Sequence, residues 1–116
     1  MTPEEFKDRT QAFALRVIRM VVALPTSAPT EVISRQVIRA ATSVGANYRA
    51  ACRARSKAEF RAKLGIVEEE ADECLYWFDL LVKGNFVRAE RVRLLRDEGD
   101  AILSMVVASI RTAKRR

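Results

Sequence analysis

Histidine is missing from the 116 residues of this chain. Its absence removes the side chain that most often acts as general base near neutral pH and the commonest nitrogen ligand for metals. Cysteine occurs twice, as Cys52 and Cys74, with no partner at a metal-ligand or redox-motif spacing. Neither a disulfide framework nor a zinc site is expected, and reduced thiols in a cytoplasmic protein fit best. Three prolines and four glycines give sparse punctuation, which leaves room for a few long elements rather than many short ones. No apolar run approaches the roughly 18 residues of a membrane span. The longest uncharged stretch, 20–30, holds two prolines. The opening Met1-Thr2-Pro3-Glu4-Glu5 is acidic and lacks a signal-peptide pattern. There is no Gly-rich phosphate loop and no nucleophile beside a base. The chain is therefore read as a non-enzymatic protein with no cofactor and no metal.

What is present is an apolar fraction of 49% and a charged fraction of 31%, the composition of a folded domain. The length fits one domain, 1–116. Four stretches carry helical periodicity. The first runs from about Pro3 to Leu24, capped by Thr2 with Glu5 completing a capping box. Phe6, Phe13, Val17, Met20 and Leu24 line one face. The second is predicted to start at the cap Thr30 and reach Ala54, with Ile33, Val37, Ala40, Val44 and Ala51 as its seam. Gly45, among small residues, implies a close packing approach, since Gly costs about 1 kcal/mol in a helix interior. The third begins at Ser56, where Ser56-Lys-Ala-Glu59 reads as a capping box. Phe60, Leu64, Val67, Ala71, Cys74, Phe78 and Leu81 then alternate in steps of four and three until Gly84-Asn85. The fourth runs from about Arg88 to Ala113 on Val92, Leu95, Gly99, Ile102, Val106 and Ile110. Arg111, Lys114, Arg115 and Arg116 close it, where cations suit the helix dipole. Short connections between long helices predict an all-α, antiparallel up-and-down four-helix bundle.

The third helix has a second stripe. Ile66, Glu73, Trp77 and Leu80 lie about 100° from the main seam. Either this helix is central and touches two neighbours in its own chain, or the stripe meets a second copy, with Trp77 as anchor.

Charge is unevenly placed. The balance is 21 Lys and Arg against 15 Asp and Glu, a net +6. Eight cations and one acid fall within 32–67, whereas six acids and no base fall within 68–82. Arg35, Arg39, Arg49 and Arg53 share an arc of about 80° opposite the apolar seam, over about 27 Å of helix. Arg55, Lys57, Arg61 and Lys63 continue the basic block through the next turn. An arginine row of this form suits the bidentate recognition of phosphates. The alternatives are a plain solvated face and ion pairs with the acidic block of a neighbouring chain or partner protein, through Glu68, Glu69, Asp72, Glu73 and Asp79. No aromatics alternate with these arginines, so a base-stacking platform is not implied. Nucleic-acid binding would be led by phosphates, with little sequence specificity. Asn47, near the seam, is predicted to bond a carboxylate across the bundle. The run 68–73 is rich in carboxylates, but di-iron bundles pair Glu with His, which is absent. Cys52 and Cys74 read as core or near-core residues.

The segment Ser43-Val-Gly-Ala-Asn-Tyr-Arg-Ala-Ala-Cys-Arg-Ala-Arg-Ser56, with Glu59-Phe60, Lys63-Leu-Gly-Ile66, Glu69-Glu-Ala-Asp-Glu73 and Tyr76-Trp77, resembles the bacterial four-helix-bundle proteins named for intervening sequences of large-subunit rRNA genes. The likeness is strong over 43–81 and rests on periodicity elsewhere. It implies an up-and-down bundle and a ring-like homo-oligomer, a pentamer. The chain is also similar to the accessory variability protein of diversity-generating retroelements, a basic pentameric barrel that works with a reverse transcriptase and nucleic acid. That similarity implies RNA or DNA and a reverse transcriptase as partners; the lack of a long apolar run implies no membrane. Relatives often carry Glu where this chain has Ala50.

Overall fold

Short polar side chains set the starts of the first three helices in the computed structural model, which describes residues 1–115. Thr2 accepts from the Glu5 N–H at 3.1 Å while the Glu5 carboxylate turns back to Thr2, so α1 (Pro3–Val22) opens on a full capping box. Ser27 caps α2 (Ala28–Cys52), with Thr30 as its reciprocal partner. The predicted cap at Thr30 is therefore corrected to Ser27. Pro29 sits inside the first turn, where its missing N–H and fixed φ cost nothing. Ser56 caps α3 (Lys57–Lys83). Here the predicted capping box is only half formed, because the Glu59 carboxylate accepts from the Arg55 N–H at 3.1 Å instead. Asn85, at φ 61°, reverses the chain after α3, and a Cβ on Gly84 beside it would lie 2.6 Å from the Phe86 ring, so any other residue there would displace that ring. α4 spans Ala89–Arg115.

The four helices form an all-α, up-and-down bundle 46 Å long and 21 Å in each cross direction. α3 packs against α2 and α4, and α1 closes the square between those two. The heptad positions of all four helices fill the interior, with Phe13, Val17, Val37, Val44, Leu64, Phe78, Ile102 and Val106 almost fully buried. Each such side chain stabilises the fold by about 1.5–3 kcal/mol. Across the diagonal, Phe13 and Phe78 meet edge to face at 6.3 Å. Thr10 extends the α1 seam as a buried polar residue, its hydroxyl donating to the Lys7 carbonyl. A Cβ on Gly45 would stand 3.1 Å from that hydroxyl oxygen, so the small-residue cluster of α2 does serve a close approach, to α1.

Candidate nucleic-acid interface

The up-and-down topology brings the end of α2 and the start of α3 to one end of the bundle. Arg49 and Arg53 lie on the last turns of α2, Arg55 in the connection, and Lys57, Arg61 and Lys63 on the first turns of α3. Arg49, Arg53, Arg55 and Arg61 are exposed and Lys63 half-buried. Among the described residues no carboxylate stands within ion-pair distance of these five side chains. Arg49, Arg53, Arg55 and Lys63 line one shallow depression, floored by Ala46 and Ala50, with Glu59 as its only acid. Cations at the end of α2 favour its dipole, but Lys57 stands at the first position of α3, where a cation works against it. Helix stability therefore does not account for the whole cluster.

Arg35 and Arg39 stand apart from it. Arg39 reaches across to α3, where it pairs with Glu70 at 3.1 Å and with Glu73. These contacts, the Glu73 hydrogen bond foremost, raise the Arg39 pKa further. The Trp77 indole N–H donates to the same Glu73 carboxylate at 3.0 Å. Arg35 lies toward the opposite end of α2, beside the α1–α2 connection. The arginine row is thus broken, with about 21 Å of helix between Arg35 and Arg49.

Part of the acidic block is used inside the chain. Besides Glu70 and Glu73, Asp79 accepts from Arg96 of α4 at 2.8 Å, and this hydrogen bond lowers its pKa. Glu69 and Asp72 remain exposed. Asn47 does not bond a carboxylate across the bundle. Its amide donates to the carbonyl and hydroxyl of Ser43, one turn back, at 2.9 and 2.8 Å. Cys52 is exposed rather than near-core, while Cys74 is buried, and burial pushes its thiol up to about 12. Among the described residues no cluster of Cys, Asp and Glu is placed to hold a metal, and no helix is long and apolar enough to cross a membrane.

Ile66 and Trp77 are half-buried and Leu80 is 37% exposed. Trp77 packs partly on the core and meets exposed Tyr76 edge to face at 5.0 Å. The Arg39–Glu73 pair fixes the antiparallel register of α2 and α3. Val32 and Leu80, each two turns beyond that pair, therefore come to one level, and Val32 is also exposed. The sequence stripe did not include Val32 or Tyr76. Arg111, Lys114 and Arg115 were read only as dipole partners. Because α4 runs antiparallel to α3, they join the basic end. Lys57 and Phe60 line one groove there with Ala108, Ser109, Thr112 and Ala113. Arg116 lies outside the described residues.

The sequence model of the 23S rRNA-intervening sequence protein family matches residues 5–108. The chain belongs to that family. Among solved structures it is similar to a protein of unknown function from the S23 ribosomal protein family of Bacteroides thetaiotaomicron. The two share 32% identity and a TM-score of 0.84, over 90% of this chain and 97% of the other. No curated protein matches it. The match to the 23S rRNA-intervening sequence family takes in the α2–α3 basic turn and stops short of Arg111, Lys114 and Arg115.

Proposed function

We propose that this member of the 23S rRNA-intervening sequence protein family is a non-enzymatic, homo-oligomeric bundle that binds nucleic acid, RNA above DNA, through the phosphates and with little sequence specificity. The observation that carries this reading is a contrast between arginines. Arg9, Arg39 and Arg96 are each tied to a carboxylate of the same chain. Among the described residues Arg49, Arg53, Arg55 and Arg61 have no such partner, and they converge on one end. Arginines held by acids are structural, whereas a converging set of cations that outnumbers the acids beside it is available to anions that arrive from outside. Of the eight predicted contacts, Arg49, Arg53, Arg55, Lys57, Arg61 and Lys63 form the site, Arg39 supports the α2–α3 packing, and Arg35 is peripheral. The absence of an acid at Ala50 favours the same assignment, because a carboxylate on the floor of the depression would repel a phosphate.

Ile66, Glu73, Trp77 and Leu80, with Val32 and Tyr76 beside them, are the proposed contact between copies; Trp77, Leu80, Val32 and Tyr76 lie toward the end of the α2–α3 face away from the cations, and Ile66 stands one turn from Lys63. A ring of five subunits and a reverse-transcriptase partner rest on resemblance. The adaptor reading, with the basic face on an acidic protein surface, has less support. Glu70, Glu73 and Asp79 are already engaged within the chain, which leaves Glu68, Glu69 and Asp72 of that block to reciprocate between copies.

Fluorescence anisotropy with a labelled RNA at low salt tests the assignment. Arg49→Glu with Arg53→Glu abolishes binding while helicity and assembly persist. Arg39→Ala leaves RNA affinity within about twofold, because that guanidinium is already committed. Unchanged binding by the double reversal removes the site from consideration.

A further inference from the structure

Cations reach the basic end from three corners of the bundle. α2 supplies Arg49 and Arg53, and α4 supplies Arg111, Lys114 and Arg115, all exposed. α3, between them, spans the gap. Lys63 lines the depression with Arg49 and Arg53, and Lys57 lines the groove against α4. The fourth corner has mixed charge. α1 brings Glu4, Glu5 and Asp8 to the same end, with Lys7 paired to Glu4 at 3.0 Å. α2 and α4 lie across the diagonal of the square. With neighbouring axes about 8–10 Å apart, that diagonal is about 11–14 Å. The basic surface is therefore a band that wraps α3 and ends in two ridges. It is not a single line along one helix.

We infer that this end takes an RNA duplex in preference to a single strand, with the α2 and α4 ridges on the two phosphate rows that border one groove. The inference rests on the nucleic-acid reading above and adds the form of the ligand. Two phosphate rows match two ridges. In A-form RNA the two rows border a wide, shallow minor groove that an outer surface can straddle. A single strand has one row and draws much of its affinity from bases stacked on aromatic side chains. Among the described residues no exposed aromatic stands at this end. Phe6 is buried, Tyr48 is half-buried with its ring edge-on to Phe6 at 4.6 Å, and Phe60 is half-buried. The exposed Tyr76 is about 28 Å along α3 from its start. A duplex keeps its bases inside and needs no such platform. The α1 corner, where acids offset the cations, attracts phosphate less than the other three.

The experiment compares a hairpin stem of about 12 base pairs, longer at about 3.4 Å per pair than the 21 Å end it must cross, with an unpaired strand of equal length. Both are titrated against the full chain at low salt. The stem binds about tenfold tighter or more. Arg111→Ala, Lys114→Ala and Arg115→Ala combined lower the salt slope for the stem by about 3, and change binding of the single strand by less than about twofold. Circular dichroism confirms that the triple variant keeps its helices. Equal or tighter binding of the single strand overturns the inference, as does a triple variant with an unaltered slope for the stem. In either case loss of binding by Arg49→Glu with Arg53→Glu still upholds the nucleic-acid reading. Absence of binding to both RNAs overturns that reading and the inference with it.

Discussion

Gly45, Gly65 and Gly99 all lie in helix interiors, where Gly costs about 0.8–1 kcal/mol relative to Ala, yet their surroundings differ. A Cβ on Gly65 would meet nothing within 4 Å, whereas one on Gly99 would lie 3.1 Å from Leu75 and 3.4 Å from the Phe13 ring. Gly65→Ala is expected to raise stability by about 0.5–1 kcal/mol, because it removes backbone entropy from the unfolded chain without a clash. Gly99→Val is expected to lower it by about 1–3 kcal/mol through overpacking. Urea titrations followed by circular dichroism separate the two, and a stabilised Gly99→Val would mean that the α3–α4 contact is looser than described. Gly45 was legible as a close-approach site because small residues surround it. Thr10, the residue it admits, was not, because a polar side chain on a seam gives no hydrophobic signal. Asn47 was misassigned for a related reason: its side chain could reach a local carbonyl or a distant carboxylate, and only coordinates distinguish the two.

At the scale of elements, the heptad pattern located all four helices and most of the core, because burial on one face dictates the spacing. The pairing of charges between helices was not legible. It depends on which neighbour a flank faces and in what register, and that is why Arg39 was grouped with Arg49. The same holds for Arg9, whose guanidinium joins α1 to α4 by two hydrogen bonds to Glu98, each 2.7 Å. This bidentate contact holds the Glu98 carboxyl below its usual range, against a partial cost of burial. A depressed carboxyl contributes stability that is present above its unfolded pKa and is lost as pH falls through the lower, folded value. Glu98→Gln is therefore expected to be less stable than the native chain by about 1 kcal/mol at neutral pH. The gap should close once the pH drops below the ordinary carboxylate range. Thermal melts at a series of pH values check this, and a gap that persists in acid would assign the loss to packing. Asp79, lowered by Arg96, titrates in the same direction but sits on a more exposed contact.

At the scale of the whole molecule, one topology separates two surfaces. The turn end carries the cations of α2, α3 and α4, and the α2–α3 face near the other end carries Val32, Tyr76, Trp77 and Leu80. Half of this arrangement was readable. The basic block and the Trp77 stripe lie close together in sequence, whereas the basic end of α4 joins the site only through the antiparallel packing of α3 and α4. The separation predicts opposite responses to salt. RNA contacts release counterions, so a site that neutralises about 6 phosphates loses about a thousandfold in affinity between 50 and 200 mM salt. Association through an apolar patch has no such release. Chains of net charge +6 repel one another, and added salt screens that repulsion within about 8–10 Å. Light scattering should therefore show a particle mass that holds or rises with salt while RNA affinity collapses over the same range. Leu80→Glu places a carboxylate in the patch without touching the core and should yield monomers of native helicity. A particle that dissociates with salt at the rate RNA is lost would mean that the cations, and not the apolar patch, hold the copies together.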